Sequence, residues 1–223
     1  MVGVKSPALQ KAIFDLAIML RKREGTSDAV PFHIDLRTQH PTMSGVLTKY
    51  IIEHAAQCMR GVQLEKGLGV RAVAGIPRKG NAFALSFARL AGEPCALLEK
   101  YDYNRVRCVA SLRTFVSPAG KELLASEIYK MKESVENVFL VGVFADTGKA
   151  ACETIEILQE EKLKVSDLLV IVDFERGARE RLAQWKCNLH ALFTITDLNN
   201  LYNRAEMFGL EHRVQPGFST PHA

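Results

Sequence analysis

The sequence predicts an α/β fold in which a parallel sheet is flanked by helices. Runs of apolar residues with the length of strands alternate with stretches of helical periodicity between residues 69 and 195. Two of these runs, 138–143 and 168–172, are apolar throughout, which is typical of strands that are buried on both faces of a parallel sheet. The 223 residues, 48% of them hydrophobic, are enough for one domain with a sizeable core.

The elements follow one another in a regular order. An amphipathic helix is predicted over 6–23, a short strand over 32–36 and a second helix over 43–60. The strands of the main sheet are predicted at 69–75, 94–98, 138–143, 168–172 and 189–195, with helices at 81–90, 150–162 and 178–185. Because ligands bind where loops leave the carboxyl ends of parallel strands, the loops after these strands are the candidate site.

Composition narrows the class of protein. The formal charge is +4, from 29 basic and 25 acidic residues without a long block of like charge, so an extended nucleic-acid surface is not predicted. The five cysteines have the spacing of neither a metal site nor a disulfide framework, which favours a reducing compartment. Charged residues interrupt the first thirty positions, so we expect a cytoplasmic protein without a membrane segment.

Two loops have the composition of anion-binding turns. The first joins the strand at 69–75 to a helix; Gly75 and Gly80 let the backbone approach an anion, and Arg78 and Lys79 supply positive charge. The second follows the strand at 138–143 and opens a helix whose first N–H groups face the turn. Its residues are Ala145, Asp146, Thr147, Gly148, Lys149 and Ala150.

Asp146 opposes phosphate binding in the second loop, because its carboxylate repels the phosphate unless a cation compensates. Lys149 is the cation that the sequence places nearest. The alternative interpretation of this loop is a purely structural helix N-terminus.

The loops and their neighbours resemble the type I phosphoribosyltransferases, and the orotate phosphoribosyltransferases in particular, from about residue 32 to residue 202. The resemblance also includes the segments Phe32-His33-Ile34-Asp35-Leu36-Arg37, 153–158, 170–173 and 189–194. It implies one Rossmann-like domain over 1–223, with a small hood at about 1–40, a core at about 41–202 and a tail at 203–223. It further implies a homodimer that binds phosphoribosyl pyrophosphate or a ribose 5-phosphate nucleotide, and Mg²⁺ if the chain is active.

The resemblance assigns roles to residues. It makes 75–80 the pyrophosphate loop, with Gly75, Arg78, Lys79 and Gly80, and 145–150 the 5′-phosphate loop. A mobile basic loop is implied after the strand at 94–98, where Lys100, Arg105 and Arg107 are the candidate catalytic residues. The base-binding residues would be Phe174 and Arg176.

The chain departs from the family at several of these positions. Gly142 and Val143 stand where the family has two adjacent carboxylates, so no metal ligand is predicted there. Phe174 occupies the position of the arginine that meets the carboxylate of orotate, and Arg176 follows two positions later. The loop from residue 100 onward has neither the histidine nor the glycine pair of the family.

Three functions remain open from the sequence. The first is an orotate phosphoribosyltransferase-like protein that binds a phosphorylated ribose compound with little or no transferase activity. The second is an active pentosyltransferase that makes orotidine 5′-monophosphate and pyrophosphate from orotate and phosphoribosyl pyrophosphate. The third is a non-catalytic regulatory or partner subunit.

Overall fold

A six-stranded sheet forms the centre of the computed structural model, which describes residues 18–19, 33–34, 52–54, 56–59, 61, 72–77, 79–103, 107–135, 137–198 and 200. The strands are β1 (Ile18–Met19), β2 (His33–Ile34), β3 (Ala72–Gly75), β4 (Cys95–Tyr103), β5 (Arg107–Val116), β6 (Val138–Ala145), β7 (Val165–Asp173) and β8 (Asn188–Thr194). The helices are α1 (Lys79–Ala91), α2 (Ala125–Ser134), α3 (Lys149–Glu160) and α4 (Ala178–Gln184). Residues 52–54, 56–59 and 195–198 are also helical.

The strand order in this sheet is β5-β4-β3-β6-β7-β8. All neighbours are parallel except β4 and β5, which form an antiparallel pair at one edge. The chain proceeds outward from β3 in one direction to β4 and from β6 in the other direction to β7 and β8. The boundary between β3 and β6 is therefore the topological switch point, where a crevice opens at the carboxyl ends of the strands.

Helices cover both faces of the sheet. One face packs against α1, through Ala84, Phe87 and Ala88, and against the helical residues Ala56 and Met59. The other face packs against α3 and α4, through residues such as Ile155, Leu158 and Leu182. Every residue of β6 except Phe144 is buried, which accounts for the unbroken apolar run in the sequence.

The predicted architecture of a parallel sheet flanked by helices is confirmed for the five neighbouring strands β4, β3, β6, β7 and β8. The structure adds β5 and α2, which the sequence analysis did not predict. The antiparallel β5 also makes the sheet mixed, whereas the sequence analysis predicted a parallel sheet without this edge strand.

The N-terminal predictions have mixed outcomes. The helix predicted over 6–23 is wrong at Ile18–Met19, which pairs as β1 with β2 in a separate two-stranded sheet. The strand predicted over 32–36 is confirmed at its centre, and the helix over 43–60 is confirmed at 52–54 and 56–59. The remaining residues of these three segments lie outside the described ranges, as does the tail at 203–223. The division into hood, core and tail stays a prediction.

Candidate functional site

The first predicted loop lies where β3 ends beside the switch point. A Cβ atom on Gly75 would lie 2.6 Å from Cα of Asn81, so the strand passes too close to the start of α1 for any larger residue. The backbone N–H of Ile76 donates to the carbonyl of Val141 at 2.9 Å, which holds the turn against β6. Gly80 is buried in the first turn of α1. Arg78 lies outside the described residues, and Lys79 begins α1.

The second predicted loop joins β6 to α3. Gly148 has a φ of 76°, which favours glycine, and a Cβ atom there would make a tight contact at 3.1 Å from Cα of Ala178. The helix begins at the next residue, and the N–H of Cys152 donates to the carbonyl of Gly148 at 3.0 Å. The first N–H groups of α3 have no acceptor within the helix. This loop therefore has the form of an anion-binding helix N-terminus, with Thr147, Lys149 and Ala150 exposed.

Asp146 forms an ion pair with Arg176, not with Lys149. Its Oδ1 lies 3.3 Å from Nε of Arg176, and the two side chains are 52% and 56% exposed. A pair with this exposure is screened by solvent and contributes little to stability. It nevertheless places the one acidic residue of the phosphate loop against the candidate base-binding arginine.

Two further contacts join the end of β6 to the loop after β7. The backbone N–H of Phe174 donates to the carbonyl of Ala145 at 2.8 Å, which extends the pairing of the two strands by one step. The rings of Phe144 and Phe174 have centroids 5.5 Å apart and planes tilted by 44°, a favourable aromatic geometry. Both rings are partly buried.

The loop after β7 is also bonded to α4 and to the residues that follow β8. Asp173, with 3% of its side chain exposed, accepts a hydrogen bond from the N–H of Glu175 at 2.9 Å and lies 3.3 Å from Nη2 of Arg179. Glu175 has a φ of 55°, which is uncommon for a residue with a side chain. Its carboxylate accepts a hydrogen bond from the N–H of Thr196 at 3.1 Å. These bonds restrain the loop on the side of α4 and of the residues after β8.

The two positions of the missing carboxylates lie inside the sheet. Gly142 is buried, and a Cβ atom there would lie 2.8 Å from Cδ1 of Ile76 and 3.2 Å from Cγ1 of Val170. Val143 is 5% exposed. The space that a carboxylate would enter is thus filled by apolar side chains.

Magnesium does not fit this part of the site. Mg²⁺ requires oxygen ligands, and Gly142 and Val143 present none from their side chains. Asp146, two positions beyond β6 residue Phe144, is paired with Arg176. Throughout the described ranges, no three His, Cys, Asp or Glu side chains are grouped as a metal site would need.

Two of the residues assigned to the mobile basic loop lie in strands. Lys100 lies in β4 opposite Ala110, and Arg107 begins β5 opposite Tyr103, so both belong to an antiparallel hairpin. Arg105 lies outside the described residues. The catalytic roles of these three residues stay predictions.

The sequence analysis missed Phe144 as a site residue. Its position within the apolar run suggested a core residue, but it lies one residue before the end of β6 and is partly exposed. The sequence could have indicated it, because Phe144 lies only two residues before Asp146, at the carboxyl end of a strand.

In the part of the chain that the structure describes, no helix is both long and apolar enough to cross a bilayer.

The sheet order, the two glycine-bearing loops at the switch point and the flanking helices define the type I phosphoribosyltransferase fold. No family model matches the chain. Its relatives nevertheless include several orotate phosphoribosyltransferases, so the similarity predicted from the motifs is confirmed.

The relatives match over different lengths. The chain is 26% identical over 187 residues to the orotate phosphoribosyltransferase of Halobacterium salinarum, with 82% of this chain and 95% of that enzyme covered. It is 40% identical over 63 residues to that of Natronomonas pharaonis, which covers only 28% of this chain and 36% of the relative.

Solved structures share the fold at low identity. The orotate phosphoribosyltransferase of Aeropyrum pernix has a TM-score of 0.55 and 18% identity, with 87% of this chain and 99% of that one covered. The Mycobacterium tuberculosis enzyme in complex with phosphoribosyl pyrophosphate has a TM-score of 0.53 and 15% identity, with 86% and 97% covered.

Proposed function

We propose that this chain is an orotate phosphoribosyltransferase-like protein that binds a phosphorylated ribose compound and transfers the phosphoribosyl group at most in trace amounts. The ligand is phosphoribosyl pyrophosphate or a ribose 5-phosphate nucleotide, bound by the loops at 75–80 and 145–150. The observation that carries the proposal is the contrast between Gly142, buried against Ile76, and Gly148, which keeps the phosphate loop in shape.

The loss of the carboxylates affects the reaction more than the binding. Positive charge develops on the ribose as the bond to pyrophosphate breaks, and the resemblance assigns the two carboxylates to the hydroxyls of that ribose. Removing one charge interaction that acts in the transition state raises the barrier by about 3 kcal/mol, or about a hundredfold in rate. Phosphate binding depends instead on the N–H groups at the start of α3, which the substitution at Gly142 leaves in place.

A turnover assay tests the catalytic part of the proposal. The purified protein, free of the host enzyme, is incubated at high concentration with orotate, phosphoribosyl pyrophosphate and Mg²⁺, and orotidine 5′-monophosphate is measured. We expect at least about a hundredfold less product than a family enzyme gives under the same conditions. A rate equal to that of the family enzyme would overturn the proposal.

Calorimetry tests the binding part. We expect ribose 5-phosphate to bind weakly and Lys149→Ala to weaken it further, because the ammonium lies in the first turn of α3 beside the phosphate loop. Lys164→Ala is the matched control: it removes the same charge from an exposed position beyond the other end of α3. Binding should weaken as salt rises, because the loop is open to solvent. Loss of binding in both variants alike, or in neither, would refute the assigned site.

The active enzyme is the second candidate. It is favoured by the match to a protein named orotate phosphoribosyltransferase along 95% of that protein's length. In that case Arg78, Lys79 and Lys100 would contact pyrophosphate, and the same turnover assay would show full activity that depends on Mg²⁺.

A non-catalytic partner or regulatory subunit is the third candidate. It is the function that remains if the turnover assay and the calorimetry both give no signal. We also propose a homodimer in the cytoplasm, as the resemblance implies; light scattering on the purified chain and localisation of the tagged protein test these two points.

A further inference from the structure

We propose that the loop after β7 receives an uncharged, planar heteroaromatic base, so that the preferred ligand is a nucleoside 5′-monophosphate whose base carries no carboxylate. This inference rests on the proposed function, because the same ligand places its phosphate in the loop at 145–150. It departs from the resemblance, which implies a carboxylated pyrimidine at this position.

The first observation is an aromatic surface beside the phosphate loop. Phe144 and Phe174 lie at the carboxyl ends of neighbouring strands with ring centroids 5.5 Å apart, and each ring is only partly buried. The hydrogen bond from Phe174 to the carbonyl of Ala145 fixes this surface relative to the first residue of the phosphate loop. Aromatic side chains stack on bases through their π-faces whatever polar groups the base carries.

The second observation concerns Arg176, the cation of the loop after β7. Within residues 173–177, Arg176 is the one basic residue, and Asp146 already lies 3.3 Å from its Nε. A carboxylate on the base would have to displace Asp146 or approach its negative charge. A neutral base meets neither obstacle, because it needs no cation. Asp146 therefore acts as a specificity-determining residue that disfavours a carboxylated base.

The surroundings keep the arrangement in place. The carboxylate of Glu175 is bonded to Thr196, and Asp173 is bonded to Glu175 and Arg179, so neither acid is positioned to take Arg176 from Asp146. Among the described residues, Asp146 is therefore the acid that pairs with Arg176.

Three ligands separate the contributions of phosphate, base and carboxylate. Ribose 5-phosphate, uridine 5′-monophosphate and orotidine 5′-monophosphate are titrated into the full chain by calorimetry; the last two differ by one carboxylate on the ring. We expect uridine 5′-monophosphate to bind about tenfold tighter than ribose 5-phosphate, from stacking on one aromatic surface. Orotidine 5′-monophosphate should bind no tighter than uridine 5′-monophosphate.

Two variants assign the effects to residues. Phe174→Leu should remove most of the tenfold gain from the base and leave ribose 5-phosphate unchanged, whereas Tyr129→Leu, which removes an exposed ring from α2, should change nothing. Asp146→Asn should strengthen orotidine 5′-monophosphate relative to uridine 5′-monophosphate, because Arg176 then lacks its carboxylate partner. Circular dichroism confirms that each variant is folded; if Phe174→Leu does not fold, the wild-type order of affinities and Asp146→Asn decide.

The outcomes separate this inference from the function on which it rests. If ribose 5-phosphate binds and uridine 5′-monophosphate binds no tighter, the aromatic surface is not a base site, while the proposed function stands. If orotidine 5′-monophosphate binds tighter than uridine 5′-monophosphate in the wild-type chain, the specificity is wrong. If none of the three binds, the proposed function fails and the inference fails with it.

Discussion

Restoring an acid at position 142 should destabilise the protein. A Cβ atom on Gly142 would lie 2.8 Å from Cδ1 of Ile76 and 3.2 Å from Cγ1 of Val170, both apolar atoms. The position is buried within β6, so the new carboxylate would enter an apolar space between these side chains. The variant Gly142→Asp therefore combines overpacking with the burial of a charge.

The two contributions have different magnitudes. Overpacking by a single Cβ atom costs about 1 kcal/mol, at the low end for buried sites, because the nearest atom is the terminal methyl group of Ile76. Burial of a polar group without a hydrogen-bond partner adds about 1–3 kcal/mol, and an ionised carboxylate adds more. We expect Gly142→Ala to lose about 1 kcal/mol of the free energy of unfolding and Gly142→Asp to lose about 3 kcal/mol or more.

Urea unfolding of Gly142→Ala, Gly142→Asn and Gly142→Asp separates the contributions. With a urea slope of about 2–3 kcal/mol per molar, the aspartate variant should unfold at a midpoint lower by about 1 M. Burial raises the pKa of the new carboxyl above its unfolded value of about 3.9. The unfolded state then loses its proton first, so the stability of the aspartate variant should fall as pH rises from about 4 to the folded pKa, while the asparagine variant should not change in this way.

Equal stability of the aspartate and wild-type proteins would refute the reasoning from Ile76 and Val170. Equal losses in the alanine and aspartate variants would refute the desolvation part alone.

The variant with acids at both Gly142 and Val143 is expected to stay inactive in the turnover assay, because the paired Asp146 and the Phe174 ring are unchanged. Substantial recovered activity would show that the carboxylates were the one missing part.

Two further predictions concern other positions. Gly148→Ala should lower the free energy of unfolding by more than the ~1–2 kcal/mol of left-handed strain, because a Cβ atom there would also lie 3.1 Å from Cα of Ala178. Gly177→Ala is the control that measures the strain alone, because Gly177 has a φ of 87° and open space around its Cβ position. Equal losses of the two variants in thermal unfolding would contradict the contact with Ala178. Burial raises the pKa of the Cys95 thiol to about 12, so little of it is thiolate. Its alkylation by iodoacetamide at about pH 8 should therefore be slower by on the order of a thousandfold than that of the unfolded chain. Rapid labelling of Cys95 in the folded chain, measured by mass spectrometry, would contradict this.

The fold was predictable wherever burial alone determines the sequence. The apolar runs at 138–143 and 168–172 lie within β6 and β7, which pack on both faces, so few polar residues interrupt them. Strand β5 lies at the edge of the sheet formed by the described residues, and it has polar and charged residues among its apolar ones, as edge strands often do. The same composition is typical of a loop, and the family's mobile loop was expected there, so the hairpin was missed.

The candidate site was predictable in its location and not in its contacts. Topology brings the loops after β3 and β6 together whatever their side chains, which is why 75–80 and 145–150 were found. The pair between Asp146 and Arg176 joins residues thirty positions apart in two irregular turns, and no periodicity encodes the directions of such side chains. Lys149 was the nearer cation in sequence, but it begins α3, whereas Arg176 lies in the facing loop.

The substitutions in the cleft act as a connected set. Ile76, in the loop at 75–80, fills the space beside Gly142, so the missing side chain in β6 leaves room for an apolar contact between this loop and the strand. One strand farther along, Phe174 packs on Phe144, and Arg176 is paired with an acid of the phosphate loop. Each of these positions thus takes part in a contact between neighbouring strands or loops, and reversing one leaves the others in place. Function should therefore respond to these positions together, and the binding order of ribose 5-phosphate, uridine 5′-monophosphate and orotidine 5′-monophosphate measures what the set as a whole recognises.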